Sequence, residues 1–117
     1  MVLLTRFLRR RYPRWDHTAQ ERAIILRYGG TPLRRYGYDG LLRGRPVEVR
    51  SARRDDRFRI QENVHRTLVR ERGSYIFLND GRSRRLPAAE VSRLLGRGPW
   101  FRDRRYPHRF LRARQVF

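Results

Sequence analysis

The 117-residue sequence contains no cysteine and no lysine. Without cysteine there is no disulfide, no thiolate zinc site and no cysteine nucleophile. Without lysine, all 30 basic side chains are arginine, and acidic residues number only 11, leaving a formal charge of +19. Codon bias toward arginine would account for the missing lysine, but not for the near-threefold excess of base over acid, nor for a count of only six alanines. Uncharged apolar stretches extend for a few positions at most, so no segment reads as a membrane-spanning helix. Met1–Leu4 is too short for the apolar region of a signal peptide. These absences predict a cytoplasmic, intracellular protein of one domain.

Leu, Ile, Val and Phe make up about a quarter of the chain, above the floor of roughly 20% below which highly charged chains stay unfolded. One small core can therefore form. A charge of +19 on such a domain repels itself, and a polyanion is its natural counterpart. Nucleic acid fits best, since each phosphate neutralised by an arginine releases condensed counterions. An anionic membrane surface fits less well, because the arginines run along the whole chain instead of lining one amphipathic helix.

Residues 1–15 read as a basic N-terminal arm. A helix follows: Asp16 or Thr18 can cap it, Thr18 and Glu21 have capping-box spacing, Ile25 and Tyr28 recur on one side, and Gly29-Gly30 stops it. Strand-like stretches come next at residues 33–36, 38–42 and 46–51, with Gly44 turning a hairpin. Residues 53–57 form a charged loop and 58–60 a short extended piece. A second helix is predicted over 63–72, with Val64, Leu68 and Val69 on its buried stripe and Gly73 as its stop. Residues 74–79 read as a buried strand, Asp80-Gly81 as a turn and 82–86 as another strand; Pro87 then opens a third helix carrying Val91, Leu94 and Leu95. Residues 96–117 mix arginine, aromatics and proline without a period, as a docked tail or a nucleic-acid arm. The expected fold is α/β, a single mixed sheet of about four to five strands flanked by helices, built on residues 16–95.

The few acids are informative. With a two-residue turn at Arg43-Gly44, Asp39 falls opposite Glu48 on one face of the hairpin, their Cβ atoms about 5 Å apart. At an effective dielectric near 20 that is roughly 3 kcal/mol of repulsion. A hard divalent cation held between the two carboxylates reverses the sign. Arg50 shares the face of Glu48, since strand side chains alternate, so a phosphate can bridge the cation and Arg50. The plainer alternative is a solvated face on which Asp39 caps a turn and Glu48 pairs with Arg45 or Arg50. A three-residue turn would shift the register and send the two acids to opposite faces.

The stretch Gly37-Tyr38-Asp39 … Val47-Glu48-Val49-Arg50 resembles the acidic motif of the PD-(D/E)XK nuclease superfamily, which includes archaeal Holliday junction resolvases and many restriction endonucleases. The resemblance covers roughly residues 16–95 and implies a restriction-endonuclease-like αβββαβ core, in agreement with the element order above. It further implies a DNA endonuclease using Mg²⁺ (or Mn²⁺), with Asp39, Glu48 and the Val49 carbonyl as metal ligands. Glu21, on the first helix, matches an acidic position that some members add to the site. Arg50 departs from the pattern by standing where the family has lysine. That lysine contacts the scissile phosphate and helps deprotonate the attacking water; arginine does the first bidentately and not the second, because its pKa stays above about 12. Two functions follow: an endonuclease whose metal acidifies the water, or a non-catalytic, highly basic DNA- or RNA-binding protein.

Arg9, Arg10, Arg11, Arg34, Arg35, Arg53 and Arg54 are the candidate phosphate contacts, although any one arginine pair is ordinarily just solvated surface. His65 reads either as a phosphate contact or proton carrier, or as a plain helix-surface residue. His17, His65 and His108 form no zinc pattern, and Asp55-Asp56 suits a salt-bridged loop. No serine has a nucleophile setting, and Gly29-Gly30 does not begin a phosphate loop. Trp100, Phe101, Tyr106 and Phe110 can stack on bases, or pack the tail onto the sheet or a second subunit. Cutting both strands of a duplex or junction takes two sites about a two-fold axis, so a homodimer is expected.

Overall fold

The computed structural model describes residues 19–33, 38–52, 54–102 and 106–117. The N-terminal arm with Arg9, Arg10 and Arg11, the caps Asp16 and Thr18, and Arg34, Arg35 and Arg53 lie outside the described residues. Helix α1 covers residues 19–27. It is followed by β1 (Thr31–Pro32), β2 (Gly40–Leu42), β3 (Arg45–Ser51), β4 (Arg57–Gln61), α2 (Glu62–Arg70), β5 (Ser74–Asn79), β6 (Arg82–Pro87), α3 (Ala88–Leu95), β7 (His108–Arg112) and α4 (Ala113–Val116). Five strands form one mixed sheet ordered β1-β2-β3-β5-β6, in which β3 and β5 run parallel and the other pairs antiparallel. This is the expected α/β architecture, joined by a second sheet in which β4 pairs with β7.

The hairpin turns over two residues. Leu42 faces Arg45 and Gly40 faces Val47, and both turn residues are left-handed, Arg43 at φ 54° and Gly44 at φ 77°. A type I′ turn demands that conformation at both positions, and glycine takes it without a Cβ clash. The β5–β6 hairpin repeats the device at Asp80 (φ 51°) and Gly81 (φ 76°). Parallel strands need a long crossover, which here is β4 and α2 between β3 and β5.

β3 lies in the middle of the sheet and is covered on both faces, which is why Pro46 through Val49 are all buried. Val47 and Val49 pack with Ile24 and Ile25 of α1 and with Ile76. Tyr28 holds α1 to β6 through a 2.9 Å bond to the Ser83 hydroxyl. The larger core lies on the other face, where Phe58, Ile60, Leu68, Phe77, Leu111 and Val116 meet. Phe58 stands edge-on to Phe77 with ring centroids 4.7 Å apart; truncating an aromatic so placed costs about 3–5 kcal/mol.

Two expectations change. Val69 is 43% exposed, and α2 turns Val64, His65 and Leu68 inward instead. The segment read as a tail beyond residue 95 is part of the core: β7 pairs with β4 over five positions from Arg57↔Arg112 to Gln61↔His108, and Leu111, Ala113 and Val116 are buried. The described residues of that segment are thus docked on the domain. No helix among the described residues is long and apolar enough to cross a membrane.

Candidate active site

Asp39 sits where the β2–β3 ladder ends. Its N–H donates to the Val47 carbonyl at 3.0 Å, although Val47 is already paired with Gly40. Its Oδ2 accepts the Val49 N–H at 2.8 Å. The carboxylate therefore takes the place of the next strand residue and is pinned beside β3. Along an extended strand the N–H and C=O of one residue point the same way, so the Val49 carbonyl also faces the Asp39 side. The carboxyl of Glu48 comes within hydrogen-bonding range of Asp39. The strand pairing stops at Gly40↔Val47, one step short of the expected Asp39–Glu48 pair, and the two acids meet through their side chains instead.

Their surroundings are dry. Glu48 is 9% exposed. Burial holds its pKa well above the ordinary carboxylate value, and the charge of Asp39, the bond to it and the charge of Glu21 add to this, while Arg50 opposes it. Glu21, on α1, joins the group: burial and then the charge of Asp39 push its carboxyl up to about 7, again against the pull of Arg50. Arg50 Nη1 lies 3.7 Å from Glu48 Oε2. Its Nε is buried and has no hydrogen-bond partner among the described residues. The Glu48–Arg50 pairing of the plainer reading is present, but on a buried face and not a solvated one.

These residues fit a hard divalent cation. The carboxyls of Glu21 and Glu48, both acted on by the charge of Asp39, are held above the ordinary carboxylate range, and a backbone carbonyl faces the Asp39 side. Oxygen donors of this kind suit Mg²⁺ or Mn²⁺. Among the described residues no three His, Cys, Asp or Glu side chains are already gathered as a coordination group. Asp39 is engaged by Val49 and Glu48, so its free oxygen and those of Glu48 would have to turn toward the cation.

His65 is neither a surface residue nor placed to touch phosphate. It is buried, its Nδ1 bonded to the Tyr75 hydroxyl at 2.9 Å and its Nε2 to Ser92 Oγ at 2.7 Å, and burial followed by the charge of Arg109 lowers its pKa. Sequence reasoning left Tyr75 in an anonymous apolar strand. It stands in register with Glu48 across the parallel β3–β5 pair, and its pKa is raised by burial and then by the Glu48 charge. Arg54 is exposed and, with Arg27 and Arg82, lines an open cleft of about 630 Å³ by α1 and the ends of β3 and β5, which none of the four clustered residues lines. Asp55 pairs with Arg57 at 2.5 Å, as a salt-bridged loop should.

No curated protein and no solved structure matches the chain. A family model described as a PD-(D/E)XK nuclease superfamily domain matches residues 10–116, reaching past residue 95 into β7 and α4. The match takes in the sheet, the hairpin and its clustered acids, and the chain belongs to the PD-(D/E)XK nuclease superfamily.

Proposed function

We propose that the chain is a metal-dependent endonuclease that hydrolyses phosphodiester bonds in DNA. The observation that carries this reading is the gathering of Glu21, Asp39 and Glu48 beside Arg50, whose buried Nε has no hydrogen-bond partner among the described residues. Asp39, Glu48 and the Val49 carbonyl would hold Mg²⁺ or Mn²⁺. Once bound, the ion supplies charge neutralisation at the phosphodiester and a more acidic water. Arg50 has a donor to spare, and its guanidinium is shaped to grip two phosphate oxygens at once. It cannot take a proton, whereas the carboxyl of Glu21 can. Arg9, Arg10, Arg11, Arg34, Arg35, Arg53 and Arg54 would supply contacts to the phosphate backbone. Branched or duplex DNA needs two such sites, so the working form would be a homodimer.

A second reading rests on one residue. Arg50 stands at the lysine position, so the fold could serve as a non-catalytic, highly basic DNA- or RNA-binding module. Plasmid and four-way-junction cleavage in Mg²⁺, compared between the unaltered protein and Asp39→Asn, separates the two. Cleavage abolished by the substitution supports the nuclease; cleavage indifferent to it, or none in either protein, removes that reading. Calorimetric metal titration with Glu48→Gln gives the same decision without substrate.

A further inference from the structure

We propose that the outward face of the β4–β7 ribbon is a stacking platform for a single-stranded segment of nucleic acid. Strand alternation sends Phe58, Ile60 and Leu111 into the core and leaves Arg57, Arg59, Gln61, His108, Phe110 and Arg112 on the other face. Arg57 stands directly opposite Arg112. Like charges so placed weaken a sheet unless an anion lies across them. Arg57 also holds Asp55, but in an exposed pair that does little to quench the field.

Flat groups run in file along this face. Phe101 makes a bridge with His108 through two 2.8 Å backbone bonds. The ring centroids of Phe101 and His108 are 6.4 Å apart and those of His108 and Phe110 5.1 Å apart, and the Arg57 guanidinium lies 4.2 Å above the Phe110 ring. At the Phe101 end the row is open: Phe101 is 61% and Tyr106 44% exposed. Apolar rings left in water beside an arginine pair match a ligand that is both anionic and flat-faced. Duplex DNA offers the anion but hides its base faces in its own stack; an unpaired strand offers both. The ribbon also flanks the acidic site, because Phe58 on its inner face packs on Phe77, which is in register with Arg50. The inference rests on nucleic acid being the partner, not on its being cut.

Fluorescence anisotropy in EDTA tests it, with a blunt duplex and the same duplex carrying a thymidine tail as probes. The tailed duplex should bind about tenfold more tightly than the blunt one. The double variant Phe101→Ala/Tyr106→Ala, which alters exposed side chains only, should lose that advantage and keep its blunt-duplex affinity within about twofold. Arg57→Ala/Arg112→Ala should weaken binding to both probes and flatten the salt dependence. No preference for the tail, or an aromatic variant that either keeps the preference or loses affinity equally for both probes, would overturn the proposal. So would a change of sedimentation in that variant, which would assign the face to a second copy of the chain. A tail preference without any cleavage in Mg²⁺ would leave this surface standing and remove only the nuclease reading.

Discussion

The Val49 N–H ends on Asp39 Oδ2, 2.8 Å away, and not on a neighbouring strand. One carboxylate thereby both closes the edge of β3 and faces Glu48. Substitutions can separate these duties. Asparagine still offers an oxygen to Val49, so Asp39→Asn should change stability by less than about 1 kcal/mol while cutting cleavage at least about a hundredfold. Asp39→Ala should lose the same activity and a further 1–2 kcal/mol or so, the usual loss for an orphaned backbone donor. Urea unfolding beside a cleavage assay reads both.

Glu48 is buried next to two other acids, an arrangement that opposes folding until a cation arrives. Glu48→Gln should therefore leave the metal-free protein as stable or more stable, by about 1 kcal/mol at pH 8, and abolish metal binding. Chemical denaturation in EDTA and calorimetry with Mn²⁺ provide the readouts.

Acid–base linkage gives a signed expectation. Glu21 and Glu48 hold protons more tightly folded than unfolded, so their contribution is complete below the unfolded value of 4.5 and is lost as pH rises through the folded values, about 7 for Glu21. His65 runs the other way: its lowered pKa gives a contribution that is present above 6.5 and lost as pH falls. Of these three groups, the two carboxyls are the ones that titrate against stability above pH 6.5. The melting temperature in EDTA should fall between pH 6.5 and 8, and Mg²⁺ should restore it most at the upper end, because the ion competes with the protons.

Arg50→Lys restores an amine that can lose its proton. The cleavage rate should rise by about tenfold or more, with a new dependence on pH above neutrality. A variant that binds Mg²⁺ as before yet cuts no faster would show that the arginine is no handicap.

Leu111 and Phe58 face each other across the ribbon, both almost fully buried. Leu111→Ala should cost about 2–5 kcal/mol. A smaller loss on denaturant unfolding would mean that β7 docks only loosely.

Local chemistry made much of this legible. Arg43-Gly44 and Asp80-Gly81 announce two-residue turns, and the first fixes the β2–β3 register as far as Gly40↔Val47, with Asp39 next in line. Strand β5 needs only its run of apolar residues to be recognised. Long-range pairing was hidden. β7 finds β4 across some fifty residues, and within it only Leu111 is buried, so alternating arginines mask the period of two. The parallel partnership that sets Tyr75 beside Glu48 leaves no local trace either. The burial of His65 is not legible either, because a polar residue at the margin of an apolar stripe looks like surface until its two hydroxyl partners arrive from β5 and α3.

Arg50 Nε bears on the choice of solution conditions. An interior donor with no acceptor among the described residues carries a standing penalty of about 1–3 kcal/mol that any well-fitting oxyanion can relieve. Sulfate and inorganic phosphate should accordingly lodge there and act as competitive inhibitors, so turnover recorded in phosphate-buffered media would understate what the protein does in chloride.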